Sequence, residues 1–271
     1  MPRPLNLHPD RLLPSEPAVR GVARELYASV KNLPIVSPHG HTDPSWFALN
    51  ESFGNATELL LVPDHYLFRM LYSQGVRLED LGFSGHKADP RKAWRILAEN
   101  YHLFRGTPSR MWLDWVFAEA FGMEIQLSGE TADFYYDTIT EKLATDDFRP
   151  RALFDRYGIE VIATTEGPLD TLEHHAAIKD SDWNGRVVTA YRPDPVVDPE
   201  FEGFSANLDR FSELTGEDCR TWQGYLNAHR QRREFFKTMG ATSSDHGHPT
   251  AATANLSAAE AALLFLSLIH I

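Results

Sequence analysis

The sequence predicts an α/β fold: an incomplete (β/α)8 barrel of the TIM type, with about four parallel strands and a large all-helical insertion after the first strand. Two observations predict the class. Short β-branched or apolar runs alternate with helical patterns, which is the signature of βαβ units and a parallel sheet. Each of those runs also ends in polar, chemically able residues, as strands do at the carboxyl face of such barrels. A third observation predicts the insertion: between about residues 50 and 145 the helical period holds without a strand.

The elements follow in order. In "PAVRGVARELYASVKNL", Val19, Val22, Leu26, Val30 and Leu33 recur at helical spacing, with Ser15 as the expected cap and Pro34 as the stop. "IVSPHGHTDP" is the opening strand, finishing in His39 and His41. The insertion carries "PDHYLFRMLYSQGV", "ADPRKAWRILAENYHLF", "SRMWLDWVFAEAFG" and "TADFYYDTITEKLAT", punctuated by Gly, Pro, Asp and Ser. "DDFRPRALFDRYG" is a helix ended by Gly158, and "IEVIATTEGP" is a second strand ending at Thr164 to Glu166. "DTLEHHAAIKDS" is a helix that Asp170 is expected to cap, with His174 and His175 on its surface. "GRVVTAYRPDP" is a third strand ending in Arg192 and Asp194, and "TWQGYLNAHRQRREFFKTMG" is a long helix closed by Gly240. "ATSSDHGHP" reads as a weaker fourth strand bearing Asp245 and His246. "NLSAAEAALLFLSL" starts a last helix behind Ser257.

Composition narrows the function classes. The net charge is -12, from 26 basic and 38 acidic residues, and the basic residues form no stripe or tail. Nucleic-acid backbone binding therefore has little support, whereas a small anion held by one or two arginines does not conflict with it. Cys219 is the lone cysteine, so neither a disulfide framework nor a thiolate metal cluster is expected. No basic leader with an apolar core opens the chain, and no stretch is apolar and long enough to span a bilayer. The expectation is a cytoplasmic protein without a membrane partner. No G-x-G-x-x-G follows a strand and no G-x-x-x-x-G-K-[ST] occurs, so nucleotide-type α/β folds lose their usual support.

His39 and His41 stand at i and i+2. On a strand both imidazoles would face one side, with Gly40 leaving room between them. That suits two ligands of one divalent metal; the plainer reading is a hydrogen-bonded pair at a strand end. Asp64, His65 and Tyr66 begin a helix behind Pro63, as a capping aspartate followed by ordinary helix residues or as a pair reaching a sugar-like ligand. Arg192 at its strand end suits either a bidentate carboxylate grip or a salt bridge with Asp194. His246 and His248 repeat the His-Gly-His spacing, but Gly247 and Pro249 favour a loop over a second metal site.

Taken in order, "SPHGHTDP", "PDHYLFRMLYSQGV", "TTEGPLDTLEHH", "AYRPD" and "TSSDHGH" resemble the uronate isomerases (glucuronate isomerase) of the amidohydrolase superfamily, over nearly all of the chain up to about Leu256. The resemblance implies metal-assisted interconversion of D-glucuronate with D-fructuronate and of D-galacturonate with D-tagaturonate. It implies a divalent metal, zinc by preference, on His39 and His41. It gives catalytic roles to His65 and Tyr66, and substrate-binding roles to Arg192, which would take the carboxylate, and to Asp245 and His246. The family's proton-transferring aspartate sits on the last barrel strand, which this chain is expected to lack. Residues 1–271 then form a partial metal-dependent barrel that is inactive by itself and exposes sheet edges, which favours poor solubility or homo-oligomers. The closing "LSLIHI", residues 266–271, is encodable by a transposon-end sequencing adapter and is expected to be non-native read-through. The alternatives are a metal-dependent hydrolase of the same superfamily and a non-catalytic fragment that binds sugar acid or metal, or nothing.

Overall fold

A computed structural model describes residues 2–82, 87–248, 250 and 252–269. The chain begins with α1 (Pro17–Val30), β1 (Ile35–Ser37), α2 (Pro44–Leu49), α3 (Ala56–Leu60) and α4 (His65–Ser73). It continues through α5 (Pro90–Glu99), α6 (Pro108–Trp115), α7 (Ala132–Leu143), α8 (Pro150–Arg156), β2 (Ile159–Glu166) and α9 (Glu173–Lys179). The last elements are β3 (Arg186–Tyr191), α10 (Asp194–Val197), α11 (Phe204–Thr215), α12 (Trp222–Thr238) and α13 (Ala258–Ile269). These fall into two units. One is helical, Met1–Leu33 with Glu51–Leu153; the other carries the sheet, Pro34–Asn50 with the described residues from Phe154 onward.

The helical unit is organised by aromatic rings on α5 and α7 and on the short segments that follow α5 and α6. Trp94, Tyr101, Phe104, Phe117 and Tyr135 are fully buried. Phe117 meets Tyr135 edge to face at 5.0 Å and Trp94 at 6.2 Å, geometries that suit the ring quadrupoles. Burying these rings requires their polar tips to be satisfied. Trp94 Nε1 donates to Ala132 O at 3.1 Å, Tyr101 Oη donates to Asp114 Oδ1 at 2.8 Å, and Tyr135 Oη donates to Ile125 O. Side-chain caps open the helices: Asp64 for α4, Asp89 for α5 and Thr107 for α6 each accept from the first turn. For α1 the cap is Glu16, accepting from Ala18 N and Val19 N, and not Ser15 as expected. The helix has no buried residue at all, so its apolar stripe faces solvent.

Among the described residues of the sheet unit three parallel strands lie in the order β1-β2-β3, where four are expected. The expected fourth strand is a single parallel bridge from Ser244 to Tyr191, made by Tyr191 N–H to Ser243 O and Asp245 N–H to Tyr191 O. The dense Gly, Ser and His content of "SSDHGHP" explains why pairing stops there, since such residues fit a pleated, half-buried surface poorly. Pro249 lies outside the described residues.

Packing on the sheet is by helices. Phe47 of α2, Phe154, Ile178 of α9 and Val187 form one cluster, with Phe47 stacked on Trp183 at 5.7 Å. Phe236 of α12 meets Tyr191 edge to face at 4.9 Å. A further cluster joins Val196, Phe204, Leu208, Phe211 and Tyr225 to Phe265 of α13. The Ser257 hydroxyl and Glu260 cap α13 reciprocally, a capping box that secures its first turn. The expected read-through begins inside this helix, at Leu266; His270 and Ile271 lie outside the described residues.

Candidate functional site

The polar residues gather where the three strands end. β1 stops at Ser37, so His39 and His41 occupy the irregular segment beyond it and do not continue the strand as expected. They are neighbours all the same, with ring centroids 4.9 Å apart and planes at 87°. The backbone between them explains this. Thr165 Oγ1 of β2 donates to Gly40 O at 2.8 Å, and a Cβ on Gly40 would stand 3.3 Å from Ala163 O. A side chain at this position would crowd β2, and glycine avoids that contact.

Beside them Asp245 bridges two groups. One carboxylate oxygen is 4.0 Å from His39 Nδ1, and the other accepts from Arg192 Nη1 at 3.0 Å. Arg192 Nε donates to Asp194 Oδ2 at 2.7 Å, so two carboxylates hold the guanidinium and only Nη2 is left without an acceptor among the described residues. Asp194 also accepts the Gly247 N–H at 3.0 Å. Burial pushes the Asp194 carboxyl up, but the Arg192 and Gly247 hydrogen bonds outweigh it and hold the group below the usual range. His246 is exposed, with Ser244 Oγ 3.2 Å from its Nε2 and the His248 ring stacked at 4.8 Å.

A buried set stands on β2 and β3. The expectation placed His175 on a helix surface; instead it is 3% exposed, with Nε2 2.9 Å from Thr164 Oγ1 and 3.7 Å from Glu166 Oε2. Burial, with His174 adding to it, lowers the His175 imidazole to about 4, which keeps it neutral. Asp170 does not cap α9 but closes the β2–α9 loop on itself, accepting from Gly167 N at 2.6 Å. Arg232 of α12 clamps the same loop, donating to Pro168 O at 2.8 Å and Asp170 O at 2.6 Å.

His65 and Tyr66 open α4 in the helical unit. Asp64 accepts from Tyr66 N and Leu67 N, both rings are exposed, and their centroids lie 4.3 Å apart. Tyr66 also edges an apolar recess with Met70, Phe104 and Pro108.

For a divalent metal, His39 and His41 offer two imidazole donors. A catalytic zinc site takes three protein ligands. No group of three or more His, Cys, Asp or Glu is arranged to hold a metal among the described residues, so the pair does not complete a site.

A parallel α/β sheet whose strand ends carry two histidines, an ion-paired arginine and partly buried carboxyls defines an enzyme-like α/β protein with its site at the carboxyl edge of the sheet. The family model described as glucuronate isomerase matches residues 17–270, and the chain belongs to that family. It is 69% identical over 269 residues to the uronate isomerase of Sphingopyxis alaskensis, covering 98% of this chain and 57% of that protein. The crystal structure of glucuronate isomerase from Caulobacter crescentus superposes with a TM-score of 0.96 at 60% identity, covering 99% of this chain and 57% of the other. That of the uronate isomerase from Thermotoga maritima gives 0.86 at 28% identity, over 97% and 56%. The chain thus spans a little over half the length of the relatives it matches. No helix among the described residues is long and apolar enough to cross a membrane.

Proposed function

We propose that the protein carrying this sequence is a uronate isomerase of the amidohydrolase superfamily, converting D-glucuronate to D-fructuronate and D-galacturonate to D-tagaturonate, and that its three strands and bridge are the opening part of a (β/α)8 barrel. The observation that carries the reading is the convergence of His39, His41, Arg192 and Asp245 at one edge of the sheet in a chain of this family. Aldose-ketose isomerisation moves a proton between C2 and C1 through an enediol. It needs a base near C2 and positive charge where the oxyanion develops.

Arg192 supplies positive charge and a free Nη2 for a sugar carboxylate. Asp194 and Asp245 hold the fork in place, which limits the rotamer freedom lost on binding. The Asp245 carboxylate stands 4.0 Å from His39 Nδ1, and the resemblance of "PDHYLFRM" to the family's motif gives His65 and Tyr66 catalytic roles. His39 and His41 are two ligands of a divalent metal, by preference zinc, whose remaining donors are not among the described residues. No step is assigned to the metal, and the 271-residue chain is expected to be inactive alone.

Ketouronate formation from D-glucuronate by a full-length version of this sequence tests the reading. Turnover that falls at least about tenfold in Arg192→Met supports it. Hydrolysis of an ester or amide without any ketouronate would overturn it in favour of a hydrolase on the same scaffold.

A further inference from the structure

The carboxyl end of β2 carries a group that the reading above leaves without a role. Glu166 is tucked among hydroxyls: Thr164 Oγ1 donates to its Oε2 at 2.8 Å, and Thr189 Oγ1 of β3 donates to the same oxygen. Oε1 makes no hydrogen bond among the described residues. The side chain also lines two cavities. One, of about 430 Å³, is shared with Thr165, Arg192, Asp194 and Gly247, and the other, of about 290 Å³, with Asp170 and His175. Glu166 therefore has one oxygen engaged by two hydroxyls and one without a hydrogen-bond partner among the described residues, on a side chain in the lining of both cavities.

We propose that Glu166 contacts the substrate directly, donating a hydrogen bond from Oε1–H to an oxygen of the sugar acid bound beside Arg192. The proposal rests on the uronate reading and adds a residue to it. Its charge environment supports a donor. The nearby cation, Arg192, is already paired with Asp194 and Asp245, and the imidazole of His175 on α9 is neutral. The remaining charged groups around it are acidic, Asp170 from the β2–α9 loop and Asp43 from the start of α2. Burial is the largest influence and raises the Glu166 carboxyl, the two threonine hydrogen bonds oppose it, and the two aspartates raise it further. An ionised Glu166 would repel a hexuronate anion, whereas the neutral acid gives it a donor in a partly dry recess.

Calorimetric titration of D-glucuronate into the 271-residue chain between pH 5 and 8 tests this. The wild type is expected to bind best at the acid end and to weaken by about tenfold per pH unit above the Glu166 midpoint. Glu166→Gln keeps a donor but cannot titrate, so its affinity lacks that limb. Thr189→Val removes a hydroxyl that favours the charged form, so the limb moves to higher pH; this variant decides the matter if Glu166→Gln fails to fold. Identical pH profiles in wild type and both variants overturn the proposal while leaving the uronate reading intact. Absence of binding in every protein at every pH overturns the proposal, while the uronate reading is judged separately by ketouronate formation in the full-length version.

Discussion

The two units differ in how completely each buries what its sequence makes apolar. In the helical unit, Trp94, Leu97, Leu113, Phe117, Tyr135 and Ile139 are all fully buried. In the sheet unit β3 is buried at Val187, Ala190 and Tyr191, yet Ile35 and Val36 of β1 are 48% and 57% exposed. Helices satisfy their own backbone groups, so a few of them can enclose a core without neighbours. A strand depends on partners on both edges and cover on both faces, and among the described residues β1 has one edge partner, β2. α1 is the exception within the helical unit, since Val22, Leu26 and Val30 are more than half exposed.

The contrast can be broken most directly by mutation of the two cores. Trp94→Ala is expected to cost about 3–5 kcal/mol, whereas Val36→Ala on the exposed strand is expected to stay within about 0.5 kcal/mol. Urea unfolding followed by circular dichroism checks both, and equal losses would show that β1 is covered in solution.

A smaller, pH-dependent difference sharpens the comparison. His175 and His229, both in the sheet unit, are lowered by burial from 6.5 to about 4. Their folded forms resist protonation while the unfolded chain accepts it, so their contribution is present above pH 6.5 and is lost as pH falls toward 4. Glu166 has the opposite sign: its raised carboxyl favours the fold at acid pH, an advantage lost as pH rises through its folded value. The sheet unit is therefore expected to melt at lower urea as pH drops from 7 to 5, and His175→Gln is expected to flatten that slope. Hydrogen exchange resolved by segment would read the two units separately, and a larger acid loss in the helical unit would contradict the assignment.

The least effect on stability is expected at α1. Val22→Glu with Leu26→Glu interrupts the exposed stripe and is expected to change stability by no more than about 0.5 kcal/mol while raising solubility. Sedimentation of the variant against the parent measures it, and a large loss of stability would mean that the stripe is covered in solution.

Much of the helical architecture was legible because its signals are local. Asp64 before the α4 pattern, the apolar period of α5 and the Ser257 cap each act within a turn or two of the chain. The parallel runs of β2 and β3 were legible for the same reason, as β-branched segments between helices. At the site, His39 and His41 stood out by spacing, Arg192 by its place at the end of an apolar run, and Asp245 by its place at the end of a weaker one. The fourth strand was not legible: a weak run becomes a strand only if a neighbour supplies its ladder, and here one bridge formed. α11 was missed, its apolar residues Phe204, Leu208 and Phe211 being spaced for a helix but flanked by polar ones.

Composition, local period and capping chemistry by themselves determined the class of fold, the order of most elements and the residues able to do chemistry, because each of these depends on neighbours in sequence. Tertiary structure alone decided which of those residues meet and in what state of charge. His175 became a buried neutral partner of Thr164, Glu166 acquired a hydroxyl-lined seat, and Asp245 came to bridge His39 and Arg192. Those outcomes depend on burial and on contacts between distant segments, and both exist only once the strands lie side by side.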